Sequence, residues 1–448
     1  MKLKNKKILL GISGSIAAYK APELVRLLQK NGAEVTVIMT QSAQKFVSVL
    51  VLEALTGKPV LKDLFEEGFK SHIHPIREAD VLLIAPATAN LVARLAYGLA
   101  DDVVTAAALA AKIPVLIAPA MNTAMWENPL VQENIQKLRK VYRVIDPENG
   151  SLACGEEGEG RLANLEMIVD EVVRAITPQD LQGRKVLITA GATREFLDPV
   201  RFMSNGSSGK MGLALVKEAY YRGAEVTVIA AKVEVDFPAY IKLISVESAE
   251  QMLEAVEKEF GDKAKNADKN ARGVVQNSGT FLAKAPDIFI AAAAVADYKF
   301  AEKFPKKMKK NAKSVSLKMI PNPDILERVL AWREKNIKNL GLGKKSGTGR
   351  NAKNLNSFLV VGFALETATS DQNLIKLAQQ KLSRKKVDLL VVNSEKAIGS
   401  NKAEFLFLTP GSNMHKVPIY AAIVKKVGFS SKEDVSRNVF DHIVKSFS

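Results

Sequence analysis

Three residue types that can move a proton or hold a carboxylate stand in distinctive segments of the first 180 residues. His72 lies in the run Ser-His-Ile-His-Pro, Asn122 ends the run Ala-Pro-Ala-Met-Asn, and Cys154 stands among glycines. A histidine can relay a proton near neutral pH. An asparagine NH2 can donate to a carboxylate, and a cysteine on a mobile segment can supply a proton. Residues of these types are candidates for chemistry, and the segments that hold them contain few other polar groups of this kind.

A turn rich in glycine and serine near the N-terminus is suited to a phosphate. It comprises Gly11, Ser13, Gly14 and Ser15, and it follows an apolar run and precedes an amphipathic one. Backbone N–H groups at a helix N-terminus favour anions, although glycines at such turns are often only sterically required. Three more polar residues come directly after or close to the ends of later apolar runs, where open α/β sheets bind ligands: Thr40, Thr88 and Asn90.

The second half carries a different, basic set of residues. Ser207, Ser208 and Gly209 precede Lys210 at the start of a predicted helix. Between positions 299 and 318 there are eight lysines and one acid, a net charge of +7. Such a cluster is suited to the phosphates of a nucleotide, a phosphorylated metabolite or a nucleic acid.

The predicted secondary-structure elements that position these residues occur in the same order in both halves of the chain. A strand, a small-residue turn, a helix and a second strand are predicted over residues 7–39 and again over 185–230. This pattern predicts an α/β protein with two doubly wound parallel-sheet domains. We place the domains at 1–176 and 184–448, with a Pro- and Gly-containing linker at 177–183. Polar stretches predict loop insertions at 261–278 and 341–356.

Composition excludes several classes of protein. The chain has 448 residues, 64 basic against 48 acidic, a net charge of +16, and 47% hydrophobic residues. These values fit globular domains and exclude collagen-like, disulfide-stapled and low-complexity chains. The single cysteine predicts a reducing, cytoplasmic compartment. The apolar runs are shorter than the roughly 18 residues that span a bilayer, so we expect no membrane segment.

The first half resembles the flavin-dependent phosphopantothenoylcysteine decarboxylases over nearly all of residues 5–175. The resemblance rests on GISGSIAAYK, APATANLVARLAYGLADD, PAMNTAMWENP and ACGxxGxGRL. It implies a flavodoxin-like or Rossmann-like domain that binds FMN, with the thiol of the substrate oxidised, the carboxylate lost and the electrons returned. It also implies His72 as base, Asn122 as carboxylate holder and Cys154 as proton donor on a lid.

The second half is similar to phosphopantothenate-cysteine ligases from Gly183 to about Lys445. The motifs are GATREFLDPVRFMSN, SSGKMG, AAAAVADY, KKMKK, NPDIL and VVGFALET. No GxGxxG follows the first strand of this half, which disfavours a dinucleotide reductase. The resemblance implies a Rossmann-like domain in which CTP, with Mg2+, activates the carboxylate of phosphopantothenate as an acyl-cytidylate before cysteine attacks.

The ligase resemblance assigns roles to particular residues. Asn205 would hold the acyl intermediate, Asp297 the metal and Lys307 the developing charge, while Phe363 would contact the cytosine. The nucleotide would further contact Ala293, Ala294, Asn322, Pro323, Asp324 and Ile325, with Lys381 and Lys385 on its phosphates.

Together the two resemblances predict a fused enzyme of coenzyme A biosynthesis that ligates first and decarboxylates second. Its expected partners are 4'-phosphopantothenate, cysteine and CTP, with neither nucleic acid nor membrane, and the resemblance implies a homo-oligomer. A flavoprotein that decarboxylates a peptide cysteine is an alternative, but it leaves the second half unexplained. A lysine-rich nucleic-acid-binding protein is another, disfavoured because aromatic residues make up only 6% of the chain.

Overall fold

The computed structural model describes residues 2–64, 74–152, 155–261, 285–309, 314–339, 358–367, 370–394, 402–410 and 423–447. The chain divides into two compact units, Met1–Pro178 and Gln179–Ser448. His72 and Cys154 lie outside the described residues, as do the predicted insertion at 341–356 and all of the other insertion except Gly261.

The first unit is built on a five-stranded parallel sheet. The strands are β1 (Lys7–Ile12), β2 (Glu34–Met39), β3 (Val81–Ala87), β4 (Val115–Pro119) and β5 (Arg143–Val144). Their order, β2-β1-β3-β4-β5, is that of flavodoxin-like folds. Every residue of β3 is buried, which explains its continuous apolar sequence. A separate antiparallel hairpin is formed by β6 (Glu148–Ser151) and β7 (Glu157–Arg161).

Eight α-helices complete the described part of this unit. They are α1 (Ala21–Lys30), α2 (Val49–Thr56), α3 (His74–Glu78), α4 (Ala89–Ala96), α5 (Val103–Ala110), α6 (Thr123–Trp126), α7 (Pro129–Arg139) and α8 (Leu165–Ile176). The sequence predicts one helix over 16–29, whereas the structure has a 3₁₀ turn over Ile16–Lys20 followed by α1. Pro22 lies in the first turn of α1, where its missing N–H costs no hydrogen bond. In the interior of one continuous helix, a proline at this position would remove a backbone hydrogen bond.

The second unit has an eight-stranded sheet and two small two-stranded ones. Its strands are β8 (Lys185–Ala190), β9 (Arg194–Phe196), β10 (Phe202–Ser204), β11 (Glu225–Ala230), β12 (Lys242–Ser245), β13 (Ile288–Ala291), β14 (Tyr298–Phe300), β15 (Met319–Pro321), β16 (Leu359–Glu366), β17 (Leu389–Ser394), β18 (Lys402–Thr409) and β19 (Ile423–Ser431). The helices are α9 (Lys210–Tyr221), α10 (Ala249–Phe260), α11 (Ile325–Asn339), α12 (Asp371–Lys385) and α13 (Lys432–Phe447).

The large sheet has the order β12-β11-β8-β13-β16-β17-β18-β19. The six strands from β12 to β17 are parallel, and β18 and β19 add an antiparallel edge. Two parallel-sheet α/β domains are therefore confirmed, and the antiparallel edge is an addition that the sequence analysis missed. Among the described residues, no helix combines the length and apolar character needed to cross a membrane.

Aromatic packing beneath the large sheet holds its helices in place. The ring of Phe260, at the end of α10, lies 5.9 Å from that of Phe289 and 5.5 Å from that of Trp332. Phe358, directly before β16, is 4.9 Å away. Because β13, α10 and α11 share this cluster, the loops at the carboxyl ends of the strands start from a rigid base.

Candidate functional site

The carboxyl ends of β1, β2 and β3 form a cavity of about 360 Å³ in the first unit. Six of the seven predicted cofactor-binding residues line it: Ser13, Gly14, Ser15, Thr40, Thr88 and Asn90. Ser42 and Arg94 also line it, and the sequence analysis did not select either. The side chains come together because parallel strands end at the same edge of the sheet.

Two residues of the first turn shape this cavity. Ser13 Oγ donates to Pro86 O at 2.8 Å and accepts from Thr88 N at 2.9 Å, so it joins the ends of β1 and β3. A Cβ on Gly14 would lie 2.4 Å from the Cβ of Ser42 and 2.7 Å from its carbonyl carbon. Any larger residue at position 14 would push the β2 loop out of the cavity.

Gly11 has a different position from the other predicted cofactor residues. It lies inside β1 and does not line this cavity. It does not line the larger cavity beside it either, which contains Asn122. A Cβ there would lie 3.0 Å from Val104 Cγ1 of α5. In the structure Gly11 therefore allows α5 to pack closely on the sheet.

The hydroxyl of Ser15 makes the cavity suitable for a phosphate. Ser15 Oγ is buried and has no hydrogen-bond partner among the described residues, although buried hydroxyls are nearly always bonded. Ser15 lines both this cavity and the adjoining one. A phosphate oxygen would supply the missing acceptor, so the residues fit the phosphate end of FMN.

Replacing Ser15 by alanine is expected to weaken FMN binding about 10- to 100-fold, the usual cost of losing one hydrogen bond to a charged group. Titration of apoprotein with FMN, followed by flavin fluorescence, measures this. Ser48→Ala is the control, because Ser48 is exposed, starts α2 and makes no capping bond. Equal FMN affinity in the two variants would contradict a phosphate role for Ser15.

Asn122 lies in the adjoining cavity, which has a volume of about 610 Å³. It precedes α6, and its Oδ1 accepts from Met125 N at 2.9 Å. That bond orients the amide so that Nδ2 is left as the donor, and Nδ2 has no partner within the described part of the chain. Ser15, Lys20 and Arg161 line the same cavity. An NH2 donor beside two cations is suited to a carboxylate.

The β6–β7 hairpin is fastened to the segment that holds Asn122. Met121 N donates to Gly160 O at 2.9 Å, and Trp126 Nε1 donates to Glu159 Oε2 at 3.1 Å. Gly160 has φ of +132°, and a Cβ there would lie 2.4 Å from Met121 O. Only glycine fits at this contact, which gives Gly160 a structural reason apart from its nearness to Cys154 in the sequence.

In the second unit the predicted residues gather around the end of β13. Asn205 Nδ2 donates to Ala294 O at 3.4 Å and to Val295 O at 3.1 Å. Thr193 Oγ1 accepts from Ala296 N at 3.0 Å, which holds the same loop from the β8 side. Asn205, Ala293 and Ala294 are therefore brought together at the carboxyl edge of the sheet.

Asn322 lies on the other side of this loop. Its Nδ2 donates to Ala296 O at 2.9 Å, and its backbone N donates to Asp297 O at 2.8 Å. Asn322 Oδ1 is buried without a partner in the described residues, which leaves an acceptor open. The Asp297 side chain is exposed and available to a cation. Pro323, Asp324 and Ile325 follow and lead into α11.

The two lysines predicted to hold phosphates are ion-paired. The Lys385 side chain is only 6% exposed, and Nζ contacts Asp324 and, at 2.8 Å, Glu327 Oε1. Burial alone would raise the pKa of the Asp324 carboxyl, but Lys385 and the Glu327 N–H hold it below its usual range. Lys381 Nζ contacts Glu366 Oε1 at 2.8 Å, at the end of the strand that carries half-buried Phe363. Any phosphate here must share these lysines with carboxylates.

The lysine run is anchored by an aspartate that the sequence analysis did not single out. Asp198 is fully buried and accepts from Val200 N at 2.8 Å, Arg201 N at 2.9 Å and Met308 N at 3.2 Å. Arg201 Nη2 donates to Met308 O, so both backbone polar groups of Met308 are held. Burial would raise the pKa of Asp198, and these backbone donors hold it below its usual range. Lys307, the neighbour of Met308, is exposed.

Comparison with known proteins agrees with this division of the chain into two α/β parts. A family model described as flavoprotein matches residues 1–177, and one described as DNA/pantothenate metabolism flavoprotein C-terminal domain matches 181–267 and 269–447. Coenzyme A biosynthesis bifunctional protein CoaBC of Thermococcus kodakarensis is 36% identical over 452 residues, 99% of this chain and 96% of that protein. The protein of the same name from Escherichia coli (strain K12) is 40% identical over 401 residues, 88% and 87% of the two chains.

A solved structure described as the FMN-dependent cysteine decarboxylase SpaF is 35% identical, with a TM-score of 0.35, and covers 39% of this chain and 97% of its own.

The fold and the cavity of the first unit define a flavoprotein, here fused to a pantothenate-metabolism domain. The chain belongs to the family of bifunctional coenzyme A biosynthesis proteins. It is an enzyme with a flavoprotein decarboxylase half and a ligase half, which confirms both resemblances.

Proposed function

We propose that residues 184–448 join 4'-phosphopantothenate to cysteine with CTP and Mg2+, and that residues 1–176 decarboxylate the product, with 177–183 as the linker. The observation that carries the proposal is that six predicted cofactor residues in the first unit, and Asn205 with Ala294 in the second, gather at the carboxyl edge of their own parallel sheet. Ligands bind at that edge in open α/β sheets.

In the decarboxylase half, FMN would be held by the cavity that Ser13, Gly14, Ser15, Thr40, Thr88 and Asn90 line. When bound, FMN supplies the two-electron oxidation and reduction that loss of the carboxylate requires. Asn122 Nδ2 donates to the substrate carboxylate, because its Oδ1 is committed to Met125 N. His72 accepts the proton of the substrate and Cys154 returns one at the end of the reaction.

In the ligase half, the carboxylate oxygen of phosphopantothenate attacks the α-phosphorus of CTP, and pyrophosphate leaves. The amine of cysteine then attacks the acyl carbon, the amide C–N bond forms and CMP leaves. Lys307 stabilises negative charge that develops on the phosphate and acyl oxygens. Asp297 would hold Mg2+, since its exposed carboxylate offers the oxygen ligands that this ion prefers. Asn205 positions the acyl group.

We further propose that the enzyme acts in a reducing cytoplasm, as its single cysteine suggests, and that it assembles from identical copies. Large apolar side chains exposed in the first unit support assembly: Ile16, Tyr19, Leu50, Tyr97 and Leu130 are each more than half exposed.

The test is to supply purified full-length protein with 4'-phosphopantothenate, cysteine, CTP and Mg2+, and to follow products by mass. We expect 4'-phosphopantothenoylcysteine first and 4'-phosphopantetheine second, with CMP and pyrophosphate released. The protein itself should show the near-ultraviolet and blue absorbance of flavin. Absence of the amide product, or equal rates when CTP is omitted, would overturn the ligase proposal.

Replacing Asn205 by aspartate is expected to weaken ligation selectively. The new carboxylate would face the carbonyl oxygens of Ala294 and Val295, to which Asn205 Nδ2 now donates, and it would repel the substrate carboxylate. Decarboxylation of supplied 4'-phosphopantothenoylcysteine should be unchanged, and it serves as the internal control. Normal ligation by this variant would mean that Asn205 is only a turn residue.

A further inference from the structure

The lysine run, residues 303–309, lies against the loop of residues 197–201 that joins β9 to β10. Phe304 N donates to Leu197 O of this loop at 2.8 Å. The backbone of Met308 is bonded to the same loop through both its N–H and its carbonyl. The run is therefore attached to the loop at two separate points.

The points of attachment differ from the lysines in exposure. Phe304 and Met308 are half-buried, whereas Lys306, Lys307 and Lys309 are exposed. The short segment that carries Lys307 is bonded to the loop before it and after it, while the lysine side chain itself stays open to a ligand. Such a segment has a defined position before any substrate arrives.

The two carboxylate oxygens of the buried Asp198 side chain have separate partners. Oδ1 accepts from Val200 N at 2.8 Å and from Arg201 N at 2.9 Å, so it shapes the loop itself. Oδ2 accepts from Met308 N at 3.2 Å and lies 3.7 Å from Arg201 Nε. An asparagine could close the loop through one oxygen, because Asn and Asp both accept from the backbone two residues on. The second acceptor is what an aspartate adds, and it serves the attachment of the lysine run.

We propose that Asp198 is a positioning residue of the ligation, which holds Met308 and thereby sets the place where Lys307 presents its charge. The proposal rests on the role of Lys307 in the proposed ligase function. Asp198 acts through the backbone of the run, since its own side chain is fully buried. A charge stabilises a transition state best when it is already in place, and a misplacement of about 1 Å can cost about 100-fold in rate.

Asp198→Asn separates the two tasks of the carboxylate. The amide oxygen keeps the bonds to Val200 N and Arg201 N, whereas the amide NH2 meets Met308 N and cannot accept from it. The reversed amide would lose two acceptor contacts instead of one, so the first orientation is favoured. The substitution therefore releases the lysine run and leaves the loop closed.

The experiment is steady-state ligation by the full chain. In Asp198→Asn we expect kcat to fall about 10- to 100-fold, with KM for CTP and 4'-phosphopantothenate changed less than about threefold, because the lost interaction acts on the transition state. Asp287→Asn is the matched control: Asp287 also bridges a backbone N–H, that of Lys185, and an arginine, Arg184. It lies at the amino ends of β8 and β13, away from the site, so its kcat should stay within about twofold of wild type.

Two further measurements separate positioning from general damage. If Asp198 acts through Lys307, adding Asp198→Asn to Lys307→Gln should lower kcat by less than about threefold, whereas independent losses would multiply. Trypsin cleaves after lysines of segments that open locally, so it should cut the lysine run faster in Asp198→Asn than in wild type.

Met308→Pro removes the same hydrogen bond from the other side. Proline has no N–H, and the change lies in the run rather than at the buried carboxylate, so it should lower kcat even if Asp198→Asn fails to fold in a thermal melt. Unchanged kcat in both variants, equal losses in Asp198→Asn and Asp287→Asn, or losses that multiply with Lys307→Gln would overturn the proposal. A wild-type chain that does not ligate would refute the proposed function, and the trypsin comparison would then still show whether Asp198 holds the run.

Discussion

Replacing Cys154 by serine is expected to leave FMN bound and to stop decarboxylation before the final protonation. A serine hydroxyl has nearly the same size as a thiol but is a much weaker acid, so it cannot supply the last proton at a useful rate. Turnover to 4'-phosphopantetheine should fall about 100- to 10,000-fold, the usual contribution of one acid–base group. Mass spectrometry of the products should show a species that has lost CO2 and two further hydrogens.

Retention of FMN follows from where the cofactor residues lie. The predicted cofactor residues sit at the ends of β1, β2 and β3, whereas Cys154 falls, in the sequence, between the residues of β6 and those of β7. The hairpin is held to Met121 and Trp126 by its own contacts, which the substitution does not touch. Glu156→Gln, a change at an exposed residue two positions further along the sequence, is the control and should keep both flavin and turnover. Full turnover by the serine variant would remove Cys154 from the mechanism.

The sequence predicts those parts of the sites that depend on strand ends. Apolar strands followed by small or polar residues predict a parallel sheet, and parallel strands place their carboxyl ends together. Ser13, Thr40 and Thr88 meet in one cavity for this reason. Gly11 looks like part of the same turn in the sequence, but strand geometry directs it toward Val104 of α5.

Features that depend on contacts between distant loops could not be predicted. Asp198 and Met308 are 110 residues apart, and Lys385 and Asp324 are 61 apart. Local patterns carry no signal for either contact, because each joins segments that are far apart in the sequence. The antiparallel pairing of β18 with β17, the strand that precedes it in the sequence, was also missed. These contacts nevertheless decide which lysines are exposed and which are paired.

The lysines around Met308, in the cluster between positions 299 and 318, are held in place by a contact of this long-range kind. Lys306, Lys307 and Lys309 are all exposed, so exposure does not select among them. The backbone of Met308 is held at its N–H by Asp198 and at its carbonyl by Arg201. The backbone at the centre of this lysine run is therefore fixed at Met308, whereas the backbone of a solvated loop is not fixed by such contacts. A lysine next to such an anchor can present its charge to one place on a substrate.

Replacing Lys307 by glutamine is expected to lower the ligase rate about 10- to 1000-fold, because it removes a charge that would stabilise phosphate and acyl oxygens once bound substrates exclude water from the site. Flavin content and decarboxylation of supplied 4'-phosphopantothenoylcysteine should not change, since that chemistry belongs to the first unit. Lys306→Gln and Lys309→Gln are the matched controls. Removing one lysine from a solvated cluster costs little, because its neighbours still supply the field. Equal small losses in all three variants would mean that the run acts only as an electrostatic patch and that the choice of Lys307 is wrong.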